Sequence, residues 1–158
     1  MVTHPIPPVF DRHSKVLILG SFPSVKSREA QFFYGHPQNR FWKVTSAVFD
    51  ATEPHTIEDK KDFLLSHGIA VWDVIASCDI TGSSDSSIKN AVPNDLTKIL
   101  DIAEIQTIFV NGKTAKKFYN KYIKDAIGRE AICLPSTSPA NAAWSVERLT
   151  EVWKQIQI

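Results

Sequence analysis

Lys15-Val-Leu-Ile-Leu-Gly20 is the stretch that decides the fold. An unbroken aliphatic run between a lysine and a glycine has no polar face, so it reads as a strand covered on both sides, as in a parallel sheet. Three more short runs read the same way: Ile69-Ala-Val-Trp-Asp73, residues 105–110, and Ala131-Ile-Cys-Leu134. Helical patterns lie between them. Phe41, Trp42, Val44, Val48 and Phe49 form an apolar stripe beginning after Asn39. Thr56, three residues before Asp59, starts the next helix in the manner of a capping box, and Gly68 stops it. Asn94 is expected to cap a helix through Ala103, and Asn111-Gly112 to open one carrying Ala115, Phe118, Tyr119 and Tyr122. Trp144, Val146, Leu149, Val152, Trp153 and Ile156 give the last helix its apolar face. The Pro-containing segment after Gly20 and the Gly/Ser-rich residues 81–87 read as loops. Strands alternating with helices through short connections pair in parallel with right-handed crossovers. The expected fold class is therefore α/β, a three-layer α/β/α sandwich around a central four-stranded parallel sheet, with residues 1–158 forming one domain. Ligands of such sheets bind outside the carboxyl ends of the strands, which selects the loops beginning at Gly20, Asp73, Asn111 and Pro135.

Composition narrows the class further. The 158 residues are 43% hydrophobic and 22% charged, which excludes a disordered or collagenous chain. No run approaches the roughly 20 apolar residues of a membrane span, so no membrane partner is expected. Cys78 and Cys133 lack CxxC spacing and are too few for an iron–sulfur cluster or a four-thiolate zinc site, so they are expected to be buried thiols. The first ten residues, MVTHPIPPVF, have neither a charged nor an apolar leader region, which makes a reducing cytoplasm the expected compartment, and the nucleoid in a bacterium or archaeon. The net charge of +1 hides a pattern. Residues 11–43 hold six lysines and arginines against two acids, 44–110 four against eleven, and 111–158 eight against four. Two basic segments on one face could meet a phosphate backbone; a solvated helix bearing Lys113, Lys116, Lys117, Lys121 and Lys124 is the simpler alternative.

Three segments could carry chemistry. Gly20-Ser-Phe-Pro-Ser-Val-Lys-Ser27 ends in Lys-Ser like a phosphate-binding P-loop, but Val25 stands where glycine is needed and Pro23 removes an amide donor, which argues against a nucleotide kinase. Tyr34-Gly-His-Pro-Gln-Asn-Arg-Phe-Trp42 gathers aromatics, an imidazole, an amide and a guanidinium. Phe41 and Trp42 read as core, whereas Tyr34 could stack on a planar base, Asn39 could hold a water and Arg40 could reach a phosphate. Leu134-Pro-Ser-Thr-Ser-Pro-Ala-Asn141 places three hydroxyls between two prolines, either a stiff loop for phosphate oxygens or a simple capped turn.

Together, in this order and on these elements, the three segments resemble the uracil-DNA glycosylase superfamily across nearly the whole chain. Gly20-Ser-Phe-Pro23 resembles the Gly-x-Asp/Asn-Pro motif that opens the active site. Residues 34–42 resemble the His-Pro-x-Asn-x-Phe-Trp run of the mismatch-specific and hypoxanthine branches, and residues 134–141 the loop that wedges into the duplex. Phe22 departs from the pattern: it stands where uracil-removing members carry a water-activating Asp or Asn, and an aromatic ring cannot polarise water. That points to the hypoxanthine (deoxyinosine) branch, in which the resemblance implies reliance on the Asn of the His-Pro-x-Asn motif, here Asn39. The absence of four suitably placed cysteines separates the chain from the iron–sulfur branches.

The resemblance implies a monofunctional enzyme that everts a deaminated base from DNA and hydrolyses its glycosidic bond with water, without cofactor or metal and as a monomer. Asn39 is expected to orient the water and His36 to donate to the departing base; Asp73 is an alternative base, or only a cap for the following turn. Gly20, Ser21, Phe22, Pro23, Tyr34 and Asn111 are expected at the base, with backbone groups of Ser21 and Phe22 or the Asn111 amide reading its edge. Ser138, Pro139 and Ala140 are expected to wedge into the gap, while Ser136, Asn141, Arg40 and Lys113 meet the backbone. Lys113 could also form a Schiff base, but a lysine opening a helix fits a phosphate contact better. Two other functions remain open: a uracil or thymine mismatch glycosylase, and a catalytically silent damage-binding module.

Overall fold

Among residues 1–157, which the computed structural model describes, seven strands fall into two sheets. The chain opens with β1 (Val2–Thr3) and passes into β2 (Val16–Gly20). Three helices follow, α1 (Val25–Ala30), α2 (Phe41–Val48) and α3 (Ile57–Ser66), before β3 (Ile69–Asp73). After Val74 alone the chain leaves as β4 (Ile75–Asp79) and returns as β5 (Lys89–Pro93). α4 (Thr97–Leu100), β6 (Thr107–Asn111), α5 (Lys113–Tyr122), α6 (Lys124–Ile127), β7 (Ile132–Leu134) and α7 (Val146–Trp153) complete it.

The four expected strands make one parallel sheet in the order β3-β2-β6-β7. β2 and β3 are buried at every residue, with Leu17, Ile18 and Leu19 fully enclosed. Burying each such side chain contributes about 1.5–3 kcal/mol, so the aliphatic run anchors the domain. β7 is an edge of three residues whose Ile132 is 44% exposed. Helix α2 packs on α7, α3 on β3 and α5 on β6. Register places Gly20 opposite Asp73 and Asn111 opposite Leu134, so the carboxyl ends of the strands share one rim.

The second sheet, β1-β4-β5, is antiparallel and was not expected from the sequence. Its strands are short and half-exposed, so they carry no aliphatic run. Asn94 does not cap a helix. Its Nδ2 donates to the carbonyls of Asp73 (2.9 Å) and Ile75 (3.3 Å), stapling the corner where the chain changes sheets. The helix it was expected to open is shorter, and Asp95 accepts from the Thr97 amide instead (3.0 Å). α1 occupies the segment expected to be a loop; with Ser27 its only buried residue it has no apolar stripe, and Ser24 caps it. Thr56 does cap α3, and Gly68 follows in the left-handed region (φ +69°). α7 starts at Val146 with Ser145 as its cap, leaving Trp144 outside, its ring 4.0 Å from the Arg148 guanidinium. Cys78 is buried; Cys133 is half-buried.

Candidate active site

A cavity of about 330 Å³ opens at the carboxyl ends of β2, β3 and β6, within the usual range for small-molecule sites. Its walls come from the turn after Gly20, the Tyr34–Asn39 segment, the Ser136–Ala140 loop and the tip of the second sheet. The three segments singled out in the sequence therefore converge on one hollow.

Asp73 lies on its inner wall, its side chain 5% exposed. Oδ2 accepts from Nε2 of His4 at 2.7 Å, and the His4 side chain is 3% exposed. Nδ1 of His4 accepts from the Ile6 amide (3.1 Å), which leaves the ring proton on Nε2. Among the described residues neither carboxylate oxygen caps a backbone amide, so Asp73 does not cap the following turn, and Oδ1 has no partner. A Cβ at Gly20 would overlap Oδ1 and lie 3.2 Å from the Tyr34 hydroxyl. Only glycine lets the strand end come this close to the carboxylate.

Tyr34 is held in the left-handed region at φ +52°, where a bulky residue is strained. Phe41 stacks on one face of its ring (centroids 4.0 Å apart, 14° between planes), so a ligand can stack only on the other. Among the described residues its buried hydroxyl meets no partner in hydrogen-bond geometry, with the Asn111 amide close by. Burial, with the Asp73 charge adding and the Asn111 amide opposing, pushes its ionisation far above the ordinary tyrosine range, so it stays a proton donor. His36 accepts from the Gln38 amide through Nδ1 (3.1 Å), leaving an Nε2–H to donate. Asn39 is half-buried on the cavity wall. Its Oδ1 accepts from the Phe41 amide (2.9 Å) at the entrance to α2, and its NH2 makes no bond among the described residues.

Arg40 does not reach outward for a phosphate. Its guanidinium donates to the carbonyls of Thr137 (3.4 Å), Ser138 (2.8 Å), Asn141 (3.0 Å) and Trp144, and its backbone amide also binds Thr137 (3.1 Å). A planar fork satisfying four carbonyls is a clamp on the loop. Asn141 is likewise internal, its Nδ2 donating to the Ser136 carbonyl (3.0 Å). Asn111 lines the cavity and is anchored to the loop, one amide N–H donating to Thr137 Oγ1 (3.0 Å) and Oδ1 accepting from the Thr137 amide (3.1 Å), which leaves its second N–H. Ser136 and Ser138 differ. Each hydroxyl accepts a backbone amide, from Ser138 (3.1 Å) and Ala140 (3.2 Å), and keeps its own proton to donate. Pro139 and Ala140 complete this lip. Lys113 is exposed at the start of α5 and does not line the cavity.

The turn after Gly20 is fastened on both sides. The carbonyls of Gly20 and Ser21 accept from Val74 (2.8 Å) and Ile75 (3.1 Å), which removes the Ser21 carbonyl as a free edge reader. Phe22 is a buried wall set edge-on to His4 (5.9 Å, 88°). Arg28 donates to the carbonyls of Pro23 (3.2 Å) and Gly82 (2.6 Å), and Ser83 Oγ accepts from the Val25 amide (2.9 Å). Ser21 Oγ donates to Asp85 Oδ1 (3.0 Å). The 81–87 segment, read as a plain loop, is thus a wall of the site. Asp85 is an exposed residue whose carboxyl faces the site, and partial loss of solvent around that carboxyl raises its pKa, with Ser21 pulling it down and the Asp73 charge pushing it up. Besides the lining residues Phe33, Ser83 and Thr137, sequence reasoning missed His4 and Asp85. Each lies in a segment without hydrophobic periodicity, and only the second sheet brings it here.

Comparison with known proteins agrees with this geometry. The family model of the uracil DNA glycosylase superfamily matches residues 7–157. A hypoxanthine DNA glycosylase of Methanosarcina acetivorans is 32% identical, over 99% of this chain and 98% of its own. Its namesake in Methanosarcina barkeri is 31% identical over 85% of each. A solution NMR structure of a Methanosarcina acetivorans protein assigned to the uracil DNA glycosylases superposes with a TM-score of 0.83 at 32% identity, covering 99% of this chain and 96% of that one. With family match, near full-length relatives and fold in agreement, the chain belongs to the uracil-DNA glycosylase superfamily and is a DNA glycosylase.

Proposed function

We propose that this DNA glycosylase excises hypoxanthine from deoxyinosine-containing DNA by everting the base into the cavity and letting water take the sugar. One observation carries the preference for a deaminated base over adenine: Oδ1 of Asp73, without a partner among the described residues, on the inner wall beside the Tyr34 hydroxyl. Hypoxanthine differs from adenine in offering a carbonyl and a ring N–H where adenine has an amino group and a lone pair. A carboxylate oxygen accepts the ring N–H and repels adenine's lone pair, while a protonated hydroxyl suits the carbonyl. Sites built to pair a polar group reject the analogue that leaves it unpaired.

Eversion costs a few kcal/mol, least for a weakly paired base such as inosine opposite thymine. Pro139 and Ala140 at the lip fill the gap. The unspent hydroxyls of Ser136 and Ser138 hold flanking phosphates, and Lys113 meets the backbone farther out. As the glycosidic bond opens, charge passes to the purine and the sugar becomes cationic. His36 hydrogen-bonds the departing base through its Nε2–H, and the Asn39 NH2 holds the water oxygen beneath the sugar; as the new C1′–O bond forms the water loses a proton to solvent, and the purine anion takes one up and leaves neutral. An amide is a poor base, but a formed cation needs a positioned water more than an activated one. Phe22 fits this division of labour, since it contributes shape and no polarity. Lys113, outside the cavity, fits a hydrolase without lyase activity.

Matched duplexes carrying hypoxanthine or uracil test the reading when abasic sites are cleaved by alkali after incubation. Hypoxanthine release is expected to dominate, no strand cleavage is expected before alkali, and Asn39→Ala is expected to lose roughly 100-fold in single-turnover rate. Release of uracil without hypoxanthine makes the enzyme a uracil glycosylase. Tight lesion binding with no abasic product, unchanged in Asn39→Ala, makes it a binding module.

A further inference from the structure

Asp73 poses a problem that its partner resolves. A full negative charge against the base edge holds a ring N–H well, yet it opposes the negative charge that the purine acquires as it leaves. Among the described residues the carboxylate has one polar side-chain partner, His4, carried in by the N-terminal strand. β1 pairs with β4, the His4 amide continues that ladder to the Ala76 carbonyl (2.8 Å), and the imidazole lies behind Asp73. Phe22 stands edge-on to the ring and Phe33 lies tilted against it at 6.0 Å. With Nδ1 occupied by the Ile6 amide, the ring presents its proton to Asp73 Oδ2 and to nothing else.

Resting on the glycosylase reading above, we propose that His4 is a positioning residue for catalysis: its Nε2–H holds Asp73 Oδ2, turns Oδ1 to the base, and draws carboxylate charge away from the departing purine. In a buried site such a hydrogen bond is far stronger than in water, and it polarises the acceptor. The same bond fixes the carboxylate rotamer, so the base meets one oxygen in one place. His4 touches neither base nor sugar. Its effect therefore falls on the chemical step more than on lesion affinity.

The test compares His4→Phe, which keeps a ring and removes the donor, with His4→Gln, whose amide can donate to Oδ2 and accept from Ile6. Single-turnover rates are measured on a hypoxanthine duplex, and affinity on a duplex carrying a cleavage-resistant 2′-fluoro analogue of deoxyinosine. Thermal melts verify that both variants are folded. The expected result is a roughly tenfold slower rate for His4→Phe, a Kd within about twofold of the parent, and recovery of most of the rate in His4→Gln. An unchanged rate in His4→Phe overturns the proposal, as does a parallel loss of rate and affinity or a glutamine no better than phenylalanine. If the parent releases uracil instead, the hypoxanthine reading fails alone, and the same variants are read on uracil, which also offers a ring N–H beside a carbonyl. A parent that releases neither base overturns both.

Discussion

The two sheets of this protein divide its labour. The parallel sheet is aliphatic, buried and continuous, with Leu17, Ile18 and Leu19 wholly enclosed. The antiparallel sheet is short, irregular in register between β4 and β5, and half open to solvent. Yet the second sheet brings His4 in behind Asp73 and the Asp85 turn to the cavity wall, whereas the first contributes Asp73 and the rim on which they converge. The stable part supplies a fixed edge with Asp73 on it, and the weakly patterned part supplies polar groups that pack against that edge.

Substitutions can break that division. Ile18→Ala in β2 is expected to cost about 2–5 kcal/mol of stability, since a large side chain is deleted from a packed interior. Val92 in β5 is 48% exposed, and Val92→Thr is expected to stay within about 0.5 kcal/mol. Comparable losses in urea melts would erase the distinction. Gly20→Ala tests the rim itself. Its Cβ would overlap Asp73 Oδ1, so a roughly 100-fold loss in kcat/KM, about 2.7 kcal/mol, is expected from displacing the carboxylate. Activity within a few-fold of the parent would show that the carboxylate position is immaterial.

Smaller effects sharpen the picture. Arg40→Ala frees four loop carbonyls from their clamp and is expected to raise KM roughly tenfold by loosening the wedge. Arg40→Lys should recover little, because an ammonium cannot reproduce the fork; full recovery would mean that charge alone matters. Asp85 gives the smallest effect and one with a sign. Its carboxyl is raised in the folded protein, so folding is relatively favoured while it is protonated, and that advantage fades as pH climbs above the ordinary carboxylate value near about 4. Asp85→Asn should therefore match the parent's melting temperature in acid and exceed it above that range. A constant offset across pH would contradict the sign.

The contrast also explains what could be read in advance. The runs at 15–20, 69–73, 105–110 and 131–134 each identify a strand, because an aliphatic run excludes water wherever the chain goes. The observed ends differ by only one or two residues, as at Thr107–Asn111. Tyr34, Asn39, His36 and the 135–141 loop were found through their residue types and their place at strand ends. Their roles were legible only in part: Arg40 carries the right chemistry for DNA, but its guanidinium is committed to loop carbonyls, and Asn111 and Asn141 each commit one amide N–H inside the protein. A guanidinium or an amide has the same donors whether it faces a phosphate or a carbonyl, and its sequence neighbours do not say which.

By itself, then, the sequence determined the parallel sheet, the rim and the segments that line it, since hydrophobic burial is written locally in runs and periods. Tertiary structure alone decided which polar groups are free. His4 meets Asp73 across 69 positions of chain, and Ser21 meets Asp85 across 64. Hydrogen bonds act over a few ångströms and are set by where the backbone returns, a property of the folded chain that no local pattern records.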